Sequence, residues 1–208
     1  LLIFLLVSFY NLSFLAFTLI FCFYQIFYEF YIILKKIFFK KKIRIYLFCL
    51  FIILFLLYVT LSLWLILSSN NFDEKVFLLF VIFISICSDI GGFSFGKIFK
   101  GKKLTKISPN KTYSGMCGSF ILSILLAFLV FNEYYSLNFI FIFSLLISSV
   151  TQLGDLFVSF LKRRVNMKDT GSILPGHGGL LDRFDGIIFA IPFGLLLKLF
   201  LLKKVYLY

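Results

Sequence analysis

The chain has 208 residues, of which 62% are apolar and 14% charged, with 32 Phe and a mean hydropathy of +1.06. That balance excludes a water-soluble globule. Lys and Arg outnumber Asp and Glu by 21 to 9, a formal net charge of +12. These basic residues lie between apolar segments rather than on a separate domain, so they read as membrane topology signals and not as a nucleic-acid surface.

Apolar blocks cover residues 1–34, 43–68, 76–93, 117–131, 137–158 and 186–202. A spanning helix needs about 20 residues, whereas barrel strands are runs of about 10 with alternating polarity. The unbroken blocks therefore predict an all-α, polytopic integral membrane protein with about six transmembrane helices. The opening block lacks a basic flank and a small-residue cleavage site, so it is not expected to be a cleaved signal peptide. Cys22, Cys49, Cys87 and Cys117 all fall inside apolar runs without ligand spacing and are expected to be small packing residues.

Three connections are basic: Lys35 to Arg44 and Lys97 to Lys111 hold six Lys and Arg each, and Lys162 to Arg183 holds five. The alternate connections, around 70–75 and 132–136, are nearly free of them. The positive-inside rule places the three basic connections on the cytoplasmic side, with Lys203 and Lys204 as the one objection. No soluble domain, repeat or long linker is visible, so the chain reads as one membrane domain, with N-terminal membrane helices over 1–75 and Asp89, Asp155, Asp169, Asp182 and Asp185 all within 76–208.

Of nine acidic residues, Asp89, Asp155, Asp169, Asp182 and Asp185 lie in or beside apolar spans or in the third basic connection. An Asp at bilayer depth costs on the order of 2.5–3.5 kcal/mol on insertion scales, so such residues face a cavity, a counter-charge or a metal. A structural ion pair with Lys or Arg explains one isolated Asp about as well as a site does. Several carboxylates near cytoplasmic helix ends, beside Lys and Arg, are what a metal-phosphate site needs. If the last helix begins early, Asp182 and Asp185, three apart, share a face. Gly176, Gly178 and Gly179 surround His177, the single histidine. They suit either a tight re-entrant turn or an anion-binding concavity. His177 alone is no metal site. Ser108, Lys111 and Thr112 bring hydroxyl and ammonium donors without the GxxxxGK[ST] spacing of a P-loop.

At these residues the chain resembles the phosphatidate cytidylyltransferase (CDP-diacylglycerol synthase) family. Ser159, Lys162, Arg163, Lys168, Asp169, Pro175, His177, Gly178, Gly179, Asp182, Arg183 and Asp185 occupy the places of its C-terminal pattern. Upstream, Gly154-Asp155, Asp89-x-Gly91, Gly96 and Ser108-Pro109-x-Lys111-Thr112-x-x-Gly115 match as well. The resemblance covers roughly residues 76–202. Two positions depart from the pattern: Ile90 stands where a small hydroxyl residue is usual, and Ser114 where an acid is usual.

The resemblance implies a reaction of CTP with phosphatidate, a membrane lipid, giving CDP-diacylglycerol and pyrophosphate at a cytoplasm-facing site in a bacterial inner membrane. It implies Mg²⁺, with room for a second, monovalent cation, and metal ligands at Asp155 and Asp182 supported by Asp185. Ser108, Lys111, Thr112, Lys162, Arg163, Lys168, His177, Gly178, Gly179 and Arg183 become candidate phosphate contacts, with Asp89 and Asp169 holding a metal water or orienting the cations. It allows a homodimer and implies no nucleic-acid partner. The alternatives are a CTP-dependent polyprenol kinase, distinguished by release of CDP rather than pyrophosphate, and a non-catalytic lipid carrier or transporter, which binds lipid without consuming CTP. The DGxxAR spacing of CDP-alcohol phosphatidyltransferases is missing.

Overall fold

A computed structural model describes residues 12–41, 45–68, 71–105, 108, 111–171 and 178–205. Among them the regular elements are all helices: α1 (Leu12–Lys41), α2 (Ile45–Ser68), α3 (Phe72–Phe99), α4 (Tyr113–Phe131), α5 (Leu137–Arg164), the one-turn α6 (Leu181–Phe184) and α7 (Ile187–Val205). Five of them are long and apolar enough to cross a membrane, and α7 adds a shorter apolar stretch, Ile187–Leu199. The polytopic all-α fold expected from hydropathy is the fold observed.

Two boundary readings change. Lys35, Lys36, Lys40 and Lys41 belong to α1 rather than to a connection, because Lys is a good helix former and cations suit a helix C-terminus. The last long helix does not begin early: α6 ends at Phe184 and Asp185 sits in a turn before α7. The shared helical face proposed for Asp182 and Asp185 therefore does not form.

The chain divides into two compact units, Leu1–Ser68 with Arg164–Arg183, and Ser69–Arg163 with Phe184–Tyr208. In the first, α1 packs on α2 through aromatic rings, Phe30 stacking on Phe55 at 3.7 Å and Phe38 tilted against Phe48 at 5.5 Å. Ile53, Leu57 and Trp64 of α2 remain more than half exposed, as expected of side chains that lipid tails solvate.

In the second unit α3 is the central helix, with Phe77, Phe80, Val81 and Ile84 wholly buried. The Asn71 N–H donates to the Glu74 carboxylate at 3.4 Å, and Asp73 and Glu74 complement the positive end of the helix. At the other end Lys100 turns left-handed (φ 45°) and its N–H returns to the Gly96 carbonyl at 3.2 Å.

Without a hydrophobic drive between helices in lipid, close backbone approach and buried hydroxyls supply the packing. A Cβ on Gly91 would stand 2.5 Å from the Gly118 carbonyl oxygen, so α3 and α4 touch backbone to backbone. Ser119 Oγ donates to the Ser88 carbonyl at 2.7 Å, Ser88 and Ser148 hydroxyls pair at 2.8 Å, and Thr151 donates to Ser85 at 3.2 Å. These bonds stitch α4 and α5 to α3. Rings of Phe77, Phe80, Phe131, Tyr135, Phe139 and Phe143 close one end of this unit. All four cysteines are free; Cys87 is buried, Cys22 half-buried, and Cys49 and Cys117 exposed. The packing role expected of all four holds fully for Cys87 alone.

Candidate functional site

Glycines set up the first cluster of acids. A Cβ on Gly154 would lie 2.6 Å from Phe189 Cδ2 and 2.9 Å from the Asp185 carbonyl, and one on Gly186 would lie 2.5 Å from Thr151 Cγ2. These two notches let α5 lie directly against the start of α7. Asp155, one residue after the first notch, is thereby brought beside Asp185, one residue before the second, close enough for their carboxyl groups to interact. Asp89 of α3 and Asp155 of α5, each roughly three turns inside its helix end, are also electrostatic neighbours. The Lys111 ammonium forms an ion pair with Asp155 Oδ2. Ser159 Oγ reaches Asp155 Oδ1 at 3.5 Å.

Burial, and then the Asp155 and Asp89 carboxylates beside it, hold the Asp185 carboxyl well above the usual carboxylate range, against the opposing pull of Lys162. Like charges are thus crowded, with Lys111 of the connection and Lys162 of α5 as the neighbouring cations.

The connection that delivers Lys111 is tied back on itself. Leu104 N–H donates to the Lys111 carbonyl at 2.7 Å, Tyr113 N–H to the Lys102 carbonyl at 3.0 Å, and Lys111 N–H to the Ser108 carbonyl at 3.1 Å. Thr112 is the N-cap of α4, its hydroxyl oxygen accepting from Gly115 N–H at 3.1 Å. Ser114, one of the two departures from the family pattern, accepts from Gly101 N–H at 3.2 Å and pairs with the Thr112 hydroxyl at 3.0 Å. It closes the loop. Ile90, the other departure, is 52% exposed.

The second cluster lies in the other unit. Asp182 Oδ2 accepts from Thr170 N–H at 2.7 Å and Gly179 N–H at 3.0 Å, and lies 3.1 Å from Thr170 Oγ1. Gly178, at φ +82°, takes the left-handed conformation that favours glycine, and a Cβ there would lie 3.0 Å from Asp182 Oδ2 and 3.4 Å from Asp169 Cβ. Lys168, Asp169, Arg163 and Arg183 are exposed, and Lys162 is half-buried. His177 lies outside the described residues.

The acid that the sequence reading passed over is Glu29, 1% exposed on α1. Its carboxylate accepts from Leu180 N–H at 2.8 Å and Leu181 N–H at 3.0 Å, and from the Thr170 hydroxyl. The signal that finds it is the one used for the Asp residues: a lone acid in an otherwise apolar run.

The donor set fits Mg²⁺. Carboxylate oxygens next to ammonium groups provide the hard ligands that Mg²⁺ prefers. Among the described residues no group of three or more His, Cys, Asp or Glu side chains is placed to hold a metal ion. Mg²⁺ commonly takes one or two carboxylates and fills its remaining positions with water and phosphate oxygens.

Fold and site together define a polytopic membrane protein with carboxylates clustered in each of its two units and an ammonium group paired to one of them. The cytidylyltransferase family model matches residues 1–201, and the chain belongs to that family. The match extends past the 76–202 stretch carried by the motifs and takes in α1 with Glu29. Similar proteins include the phosphatidate cytidylyltransferases of Rickettsia conorii, 45% identical over 116 residues (51% of this chain, 50% of that protein), and Rickettsia bellii, 41% over 143 residues (64% and 61%). That of Bacillus subtilis is 45% identical over 111 residues (51% and 41%). The aligned region thus spans about half the length of the curated relatives it matches.

Proposed function

We propose that the protein joins the cytidylyl group of CTP to phosphatidate, giving CDP-diacylglycerol and pyrophosphate. The observation that carries this reading is the crowding of Asp89, Asp155 and Asp185, with Lys111 paired to Asp155, in a member of the cytidylyltransferase family. In the reaction an oxygen of the lipid phosphate bonds to the α-phosphorus of CTP while the bond from that phosphorus to the bridging oxygen of the β-phosphate breaks. Pyrophosphate leaves in line.

Two anions must meet and charge grows on the leaving group, so the chain's task is to position and neutralise. Lys111, Lys162, Arg163, Lys168 and Arg183 contact phosphate oxygens of CTP, pyrophosphate or lipid. Ser108, Thr112 and the Gly178-Gly179 backbone add neutral donors, and His177 belongs to the same segment. By the family resemblance Asp155 and Asp182 would hold Mg²⁺, with Asp185 in support, and the ion would supply positive charge to the phosphate oxygens. Asp89 and Asp169 orient the neighbouring cations. No side-chain nucleophile is required. The basic connections argue that the site faces the cytoplasm, and the bacterial relatives support a bacterial inner membrane.

The test is to incubate the purified chain in detergent with phosphatidate, CTP and Mg²⁺ and to measure lipid-linked cytidine and pyrophosphate, with Asp182→Asn as control. Wild type is expected to form both products and the variant neither. Release of CDP with a phosphorylated lipid would instead indicate a kinase, and lipid binding without CTP consumption a carrier. Equal rates for wild type and Asp182→Asn overturn the assignment of Asp182.

A further inference from the structure

Glu29 is an acid on a membrane-spanning helix, far in sequence from every motif, and wholly buried. Three donors converge on it. Leu180 N–H reaches Oε1 and Leu181 N–H reaches Oε2, and the Thr170 hydroxyl donates to Oε2. Two glycines make room for it: a Cβ on Gly171 would lie 3.0 Å from Glu29 Oε1, and one on Gly179 would overlap both Thr170 Oγ1 and Glu29 Oε2. The backbone it holds, at Leu180 and Leu181, leads directly into Asp182.

Thr170 links the two acids. Its N–H donates to Asp182 Oδ2 at 2.7 Å, while its hydroxyl stands between that oxygen, at 3.1 Å, and Glu29 Oε2. A hydroxyl has one proton, and the nearer Glu29 oxygen takes it. Glu29 thus fixes the Thr170 rotamer from one side and the 180–181 backbone from the other, and Asp182 hangs between these two supports.

We infer that Glu29 is a positioning residue for Asp182: through Thr170 and the 180–181 amides it fixes the orientation in which the Asp182 carboxylate meets a divalent cation. This rests on the reading of Asp182 as a metal-holding carboxylate. Glu29 itself touches neither substrate nor metal.

The test uses the full chain in detergent, as wild type, Glu29→Gln, Thr170→Val and Asp182→Asn. Glutamine keeps the size of Glu29, but whichever way its carboxamide turns, its NH₂ meets at least one of the two backbone N–H donors. Valine keeps the shape of Thr170 and its N–H bond to Asp182 while removing the hydroxyl that bonds to Glu29. Three measurements are made: Mn²⁺ affinity by EPR titration with the metal alone, the Mg²⁺ concentration for half-maximal liponucleotide formation, and thermal stability.

Groups that support a metal ligand typically alter affinity by 10–100-fold. Both Glu29→Gln and Thr170→Val are therefore expected to weaken Mn²⁺ binding by about tenfold or more and to raise the Mg²⁺ requirement by a similar factor. The rate at saturating Mg²⁺ should be largely recovered. Combining them should add little, because both cut the same link.

Unchanged Mn²⁺ affinity in either folded variant overturns the inference, as does Asp182→Asn binding Mn²⁺ like wild type. Should Glu29→Gln not fold, Thr170→Val decides alone. Loss of folding in both marks the role as purely structural and counts against the inference. The two readings fail separately. A wild type that makes no liponucleotide, with both variants still weakened for Mn²⁺, refutes the reaction and leaves Glu29's role standing. An active wild type whose Asp182→Asn loses Mn²⁺ while Glu29→Gln binds normally refutes only the role of Glu29.

Discussion

The two carboxylate clusters are built on opposite principles. Around Glu29 and Asp182 the partners are neutral: amide N–H groups of Thr170, Gly179, Leu180 and Leu181 and one threonine hydroxyl. Around Asp155 the partners are charged: a lysine ion pair and two further carboxylates. Neutral donors in a fixed array satisfy an acid and immobilise it. Crowded like charges do the reverse, leaving an acid under-compensated and ready for an arriving cation. One region is suited to hold a geometry and the other to receive charge.

The largest effect separating them is expected at Asp155. Asp155→Asn removes the hub of the charged cluster and leaves Lys111 without its partner, so liponucleotide formation should fall by more than the roughly 100-fold upper end for residues that only support a ligand. A loss of tenfold or less, measured at saturating Mg²⁺ and CTP, would demote Asp155 to the supporting class and erase the contrast. Lys111→Met comes next. A hydrogen bond to a charged group is worth about 1.5–3 kcal/mol, which predicts a rise in KM for CTP of roughly tenfold or more. Titrating initial rates against CTP checks it. An unchanged KM would mean that Lys111 serves only to neutralise Asp155.

Gly179→Ala probes the neutral cluster in turn. The added methyl would overlap Thr170 Oγ1 and Glu29 Oε2, and overpacking of this kind costs about 1–3 kcal/mol. Thermal unfolding in detergent should show lowered stability, together with an increased Mg²⁺ requirement. Wild-type stability would show that the array around Glu29 gives way easily, contrary to the rigidity argued above.

The charged cluster was the more legible of the two in the sequence. Asp89, Asp155 and Asp185 stand out in apolar surroundings because their desolvation cost demands a reason, and the basic connections beside them suggest the counter-charge. Which cation meets which acid was not legible: Lys111 and Asp155 are brought together by helix packing that no local pattern encodes. The neutral cluster was half-read. Asp182 and Gly178-Gly179 belong to a dense motif, but their supports Glu29 and Thr170 carry no motif, and Glu29 was hidden by treating its block as uniformly apolar. The spans were readable because about 20 apolar residues in a row leave few alternatives. Helix ends were not, since Lys35 to Lys41 are polar enough to look like a connection and helical enough to extend α1.

The smallest predicted effect lies away from both clusters and tests whether the frame beneath them is interchangeable. The Ser88 hydroxyl pairs with Ser148 at 2.8 Å, and the Ser88 carbonyl separately accepts from Ser119 at 2.7 Å. Ser88→Ala deletes only the first of these. Ser148 Oγ keeps Gln152 Nε2 as a donor at 3.3 Å, so no buried group is stranded. Interhelical side-chain hydrogen bonds in membrane proteins average about 0.6 kcal/mol, and Ser88→Ala should destabilise the folded chain by about that much. Because Ser88 immediately precedes Asp89, the variant also asks how tightly the charged cluster depends on its frame. Backbone contact at Gly91 holds α3 against α4 without the hydroxyl, so the Mg²⁺ and CTP dependence of the reaction should stay at wild-type values. A shift in either, at near-native thermal stability, would mean that the hydroxyl helps set the position of Asp89, and the frame could no longer be treated as separate from the site it carries.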